Sequence, residues 1–193
     1  MTTELLLTGL LQGLILALIT YAIMIPFRLL NFPDLTAEGA YPLGGAICAS
    51  GVLMGLPVSL AILVAILAAG LMGATTAFIH LRFRVNTLLA GIILSTMAYS
   101  VNLRIMAKPN ISLFDSNSLF NTDNIMSNII ILIIILATFV IPLGLFLQTD
   151  FGLKLRAVGL NLDFARKQGI SIKRYTIFGL FLAGCLSGLA GSL

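Results

Sequence analysis

The chain has 193 residues, 59% of them hydrophobic and only 9% charged, with a net charge of +4 and a mean hydropathy of +1.10. A soluble domain of this size carries about a quarter of its residues as charges, so this one must use lipid as much of its solvent. One histidine and two cysteines exclude a disulfide framework or a zinc site, and the absence of tryptophan and of interleaved aromatic and basic residues argues against nucleic acid.

The first apolar stretch covers residues 5–27. It follows "MTTELLLTGLL", where Glu4 stands in place of the cationic region of a signal peptide, so the stretch is expected to be retained. Next comes "LNFPDLTAEG". Pro33 disfavours helix at Phe32, and Asp34 and Glu38 are spaced to share one face of a helix starting near Asp34. Asp34 and Thr36 are also candidate caps of the following helix. Two readings are open. The stretch is either a plain turn with solvated acids and Arg28 as counter-ion, or a break between two half-helices beside a translocation path. In the second case Asn31, Asp34 and Glu38 face protein or water rather than lipid.

Further apolar segments are expected at residues 39–55 (short, glycine-rich, with Pro42), 56–79, 87–106, 125–147 and 175–193. About twenty apolar residues span a bilayer, which gives an all-α polytopic membrane protein of about six transmembrane or part-membrane helices. The short second segment leaves open whether it spans fully or re-enters. The fourth includes Tyr99 and Asn102, candidates for the translocation path, and the ionisable Arg104. Gly9/Gly13, Gly51/Gly55 and Gly184/Gly188 have the spacing of close helix packing, read here as contacts within one subunit.

Arg82 and Arg84 in "HLRFRVN" and six basic residues in "TDFGLKLRAVGLNLDFARKQGISIKR" put these two segments in the cytoplasm. The loop "AKPNISLFDSNSLFNTDN" then faces outward. No lysine follows a glycine, so there is no P-loop and no nucleotide site of this chain's own. His80, beside Arg82 at a helix end, reads as an interfacial residue rather than a base.

The cytoplasmic segment 149–174 is too polar to span. Asn161 as N-cap, Asp163 in the first turn, Arg166 late and Gly169 as the stop predict a two-turn helix over 162–168. So short a helix needs a surface to hold it, either lipid headgroups or a partner protein.

"GLKLRAVGLNLDFARKQGI" resembles the cytoplasmic loop of ABC importer permeases of the branched-chain amino acid and simple-sugar class. "LNFPDLTAEGAYPLGGA" resembles the segment after that class's first helix. "LRIMAKPNISL" is similar to a subgroup labelled tryptophan/tyrosine-type or uncharacterised. The resemblance implies a coupling helix docking on a separate ATPase, which holds ATP and Mg, so that the chain is not itself an enzyme. Gly159, Asn161, Asp163, Phe164, Ala165, Arg166 and Gly169 would then do the coupling, with Phe164 and Ala165 at the contact and both glycines permitting turns. It also implies a second permease subunit (a homodimer), an extracytoplasmic solute-binding protein, and a place in the bacterial cytoplasmic membrane. Residues 1–193 form one permease domain, and the family's further helices lead us to expect a larger type II importer-like whole. The competing functions are an ion- or proton-coupled carrier using Asp34, Glu38 or Arg104, and a non-transporting assembly subunit.

Overall fold

The computed structural model describes residues 2–108, 111 and 125–193, the side chains of 2–4 excepted. All regular secondary structure among the described residues is helical, and the outward loop 109–124 lies almost wholly outside them. The chain is an all-α polytopic membrane protein. The helices are α1 (Thr2–Met24), α2 (Thr36–Leu53), α3 (Val58–Phe83), α4 (Thr87–Met106), α5 (Ile125–Phe146), α6 (Asp150–Leu160), α7 (Leu162–Lys167) and α8 (Ile172–Ser192). A π-helical turn, Ile25–Leu29, closes α1.

Among the described residues, five stretches are long and apolar enough to cross a membrane: Leu5–Leu29 and helices α3, α4, α5 and α8. The expectation was about six. The missing one is α2, whose glycines, Glu38 and hydroxyl groups dilute its hydropathy. It is one continuous helix, Pro42 included. It runs antiparallel to α3, from Thr36 beside Thr76 to Gly51 beside Ala61. It therefore does not turn back on itself as a re-entrant loop would.

Small residues explain how α2 fits. A Cβ at Gly44 would fall 2.3 Å from the Gly188 carbonyl oxygen of α8, and one at Gly73 of α3 would fall 2.1 Å from that of Leu180. Lipid tails are as apolar as leucine, so packing of this closeness, rather than escape from water, holds such helices together. Two hydroxyl bonds tie α2 to its neighbours, one to α8 and one to α4. Ser187 Oγ donates to the Ala37 carbonyl at 2.8 Å, and Ser50 Oγ to that of Ile105 at 3.4 Å. Gly184 and Gly188 do pack within the subunit, on Ala69, whereas Gly9 and Gly13 meet no described neighbour. Helix α8 is the most enclosed of the five apolar stretches, and α5 the least.

One end of the bundle collects the basic residues. Arg28, Arg82, Arg84, Lys154, Arg156, Arg166, Lys167, Lys173 and Arg174 lie there, nine of the 11 in the chain, leaving Arg104 and Lys108 at the other end.

Candidate functional site

At this basic end the chain leaves α1 through a defined sequence of steps. Pro26 has no N–H and its ring crowds the carbonyl one turn back, so the ladder widens to a π turn, with the Leu30 amide on the Ile25 carbonyl at 3.2 Å. Asn31 then takes the left-handed conformation, φ 49°. Phe32 packs edge-on against His80 with ring centroids 5.0 Å apart, and His80 Nδ1 lies 2.7 Å from the Val85 carbonyl oxygen. His80 thus ties the α3–α4 turn to the break.

Asp34 is buried and precedes α2 rather than forming part of it. Its carboxylate accepts from the Thr36 amide at 3.0 Å and from the Thr36 hydroxyl. The Thr36 hydroxyl lies 2.8 Å from that of Thr76. Burial pushes the Asp34 carboxyl above its ordinary range, against the opposing pull of these bonds. Glu38 is exposed, as is Asn31. The expectation that Asp34 and Glu38 share a helix face is therefore corrected: Asp34 caps the helix from outside it and faces inward, while Glu38, two residues inside the helix, faces outward. The break at 30–35 is real, as Pro33 predicted, and lies at the basic end of the bundle. On α4, Tyr99 is exposed and Asn102 is buried, its Oδ1 without a hydrogen-bond partner among the described residues. The structure does not bring these two together with Asn31, Asp34 and Glu38.

The segment 149–174 folds as an elbow of two helices. The first, α6, escaped the reading of the sequence. Its buried positions are Gly152, Leu155 and Val158, a helical spacing obscured by two glycines that lower helix propensity. Both glycines serve close packing. A Cβ at Gly152 would meet the Leu147 backbone, and one at Gly159 would stand 1.9 Å from the Leu29 carbonyl oxygen. Gly159 is thus a contact with the end of α1, not the turn-former expected. Leu155 and Val158 pack with Leu30, Phe32, Ala77, Ala165 and Leu180. Each such side chain contributes about 1.5–3 kcal/mol, which holds an 11-residue helix that would not stand alone.

Asn161 is the elbow joint. Its amide ends α6 on the Ala157 carbonyl, and its Oδ1 accepts from the Asp163 and Phe164 amides, both at 3.0 Å, to start α7. At the other end Gly169, φ 73°, makes a Schellman stop: its amide reaches the Arg166 carbonyl and that of Ile170 reaches the Ala165 carbonyl. These caps fall where the sequence put them, with Gln168 as the C-cap beyond the last helical residue. One expectation is overturned. Ala165 is fully buried against the chain's own core, so it cannot touch a partner. The exposed apolar side chains of the elbow are Leu160 at the end of α6 and Leu162 and Phe164 on α7. Asp163, Arg166 and Lys167 are exposed as well.

Residues 5–193 match the family described as the branched-chain amino acid transport system permease component. The chain belongs to this family. It is 38% identical, over 94% of its length and 61% of the relative's, to the tyrosine transport system permease protein of Clostridioides difficile (strain R20291). It is 35% identical, over 98% of its length and 67% of the relative's, to an uncharacterised protein of Rickettsia prowazekii (strain Madrid E). A third relative, the nucleoside ABC transporter permease protein NupB of Lactococcus lactis subsp. cremoris (strain MG1363), is 34% identical over 61% of this chain and 30% of its own length. The chain thus spans about three fifths of the tyrosine permease relative. No solved structure matches it. As a member of the family it carries a multi-pass membrane domain of the permease type.

Proposed function

We propose that the protein is the membrane-spanning part of an ATP-driven importer for a small organic solute, an amino acid or a related molecule. Two permease subunits, here two copies of one chain, would alternate access across the bacterial cytoplasmic membrane. A separate ATPase would bind ATP and its Mg2+, and an extracytoplasmic binding protein would deliver the solute.

The observation that carries this reading is the exposure of Leu160, Leu162 and Phe164 on the α6–α7 elbow. Exposed leucines and a phenylalanine at the basic end, among cations that keep the elbow out of the hydrocarbon, call for an apolar partner surface. Caps at both ends of α7 fix the orientation in which it is presented. The amino-acid class is favoured over nucleosides because the relative named for tyrosine aligns along 94% of the chain and the one named for nucleosides along 61%. Asp34, held as a cap by Thr36, supports a structural carboxylate more than a proton carrier.

The test is uptake of labelled tyrosine in cells expressing the permease with its ATPase and binding protein. Uptake should vanish when the ATPase loses its P-loop lysine and survive a proton uncoupler. The reverse pattern would establish a proton-coupled carrier. Ligand retention on the purified binding protein reads the substrate separately.

A further inference from the structure

Two hollows meet at a wall of aromatic rings. Phe151 lies 5.4 Å from Phe146, 4.8 Å from Phe178 and 4.6 Å from Tyr175, centroid to centroid. On one side α5 stands away from α8. The gap is a cavity of about 350 Å3 lined by Phe139, Pro142, Leu143, Leu182 and Cys185 together with Phe146 and Phe178. On the other side Phe151 and Tyr175 line a second hollow of about 360 Å3 with Lys154, Gln168 and Arg174. The first hollow lies between membrane-spanning stretches, and the second at the basic end, where α6 and the loop after α7 meet the first turn of α8.

The two hollows differ in chemistry. The first offers only apolar side chains, so water gains nothing there, and leaving it empty forfeits dispersion contacts on every lining atom. The second carries two cations and no carboxylate in its lining. Neither Lys154 nor Arg174 has an ion pair among the described residues, although Asp150 stands one turn before Lys154. An apolar slot at membrane depth beside an unpaired cationic pocket at the interface matches a molecule with a long tail and an anionic head.

We propose that these hollows form one site for an anionic phospholipid. Its acyl chain would fill the gap between α5 and α8, and its phosphate would sit on Lys154 and Arg174. Arginine presents its donors as a fork suited to phosphate oxygens, and basic pockets between membrane helices are suited to lipid head groups. The lipid would fasten α5, the least enclosed helix, to α6 and α8. The proposal requires only a membrane protein and does not depend on the transported solute.

The test is native mass spectrometry of the full chain purified in mild detergent and exposed to equal phosphatidylglycerol and phosphatidylcholine. Preferential retention of one phosphatidylglycerol is expected. Lys154→Gln with Arg174→Gln should lower that retention by about tenfold or more, since the loss of even one charge-assisted contact is worth that much, without changing helix content. Leu182→Trp, which fills the apolar slot, should release the lipid while both cations remain. Equal retention of the two lipids by the wild type would overturn the site, as would unchanged retention in the double variant. Displacement of the lipid by excess inorganic phosphate would show a free-anion pocket instead. Cross-linking between two copies through cysteines at Phe139, with no lipid retained, would show that a second copy fills the gap.

Discussion

The carboxylate of Asp34 rests on the backbone of Gly91. A methyl carbon at Gly91 would stand 2.6 Å from Asp34 Oδ1 and 2.8 Å from the Leu35 amide nitrogen. Gly91→Ala should therefore push the break between α1 and α2 away from α4, although alanine is the better helix former. Overpacking of this kind costs about 1–3 kcal/mol. Thermal unfolding in detergent should show the loss, and an unchanged midpoint would mean that the break can slide aside freely.

The same carboxyl predicts a pH effect. A buried acid whose folded pKa lies above its unfolded one holds its proton more tightly when folded. Its stabilising contribution is complete below the unfolded value and is lost as pH rises through the raised one. Asp34→Asn keeps an acceptor for the Thr36 amide and removes the charge. The variant is expected to be more stable than the wild type near neutrality and to show a flatter stability profile in mild acid. Parallel profiles for the two proteins from about pH 4 to 7 would show that Asp34 does not titrate there.

On α7 the two neighbours Phe164 and Ala165 should separate docking from folding. Phe164→Asp alters an exposed side chain and is expected to abolish ATPase association while the protein still inserts and unfolds normally. Ala165→Asp places a carboxylate in a closed core and should destabilise the protein by several kcal/mol, about 3–5 for an uncompensated buried charge. Normal association and uptake in Phe164→Asp would refute the docking surface.

The caps of α7 make a graded series. Asn161→Ala removes the acceptor for two amides and should cost about 1 kcal/mol. Gly169→Val forces a β-branched residue into positive φ and should cost more. Both are read as thermal midpoint and as ATP-dependent uptake, with uptake the more sensitive because the elbow's orientation is what changes. Gly159→Ala should behave like a cap variant although it lies inside a helix, since its new methyl would strike the Leu29 carbonyl. A gain in stability from Gly159→Ala, as helix propensity alone would give, would contradict that packing.

Sidedness is tested with single cysteines in a cysteine-free background. Lys167→Cys should label from the cytoplasm and Met54→Cys, highly exposed in the α2–α3 turn, from outside. Thr36→Cys, which is buried, should react poorly from either side. Labelling of positions 167 and 54 from the same side would invert one of the segments between them. Ser116, the natural outer probe, lies outside the described residues.

Reading apolar runs placed α4 at both ends and α5 to within one residue, because lipid-crossing helices announce themselves by length and composition alone. The α7 caps were equally legible, since Asn161 and Gly169 act through their own backbone neighbours. What escaped depends on distant partners. Helix α6 was hidden because Gly152 and Gly159 look like helix breakers until Leu147 and Leu29 are seen against them. The inward turn of Ala165 depends on Leu155 and Leu180, which nothing in "LDFARKQ" reveals. Asp34 and Glu38 have helical spacing, but the helix starts at Thr36, where Asp34 can cap it, and that start decides which of the two is buried.

The place of Gly159 against Leu29 has a mechanical consequence. Helix α6 is wedged between the π turn that ends α1 and the first turns of α8, with Leu155 touching both neighbourhoods. Stretches separated by well over a hundred residues of chain therefore share one bearing point. A displacement of α7 is handed to α1 and α8 together, and α8 carries α2 and α3 with it through the glycine seams. The elbow works as a handle on the block these helices form, to which α5 is joined mainly through α1 and through Phe146 at the aromatic wall.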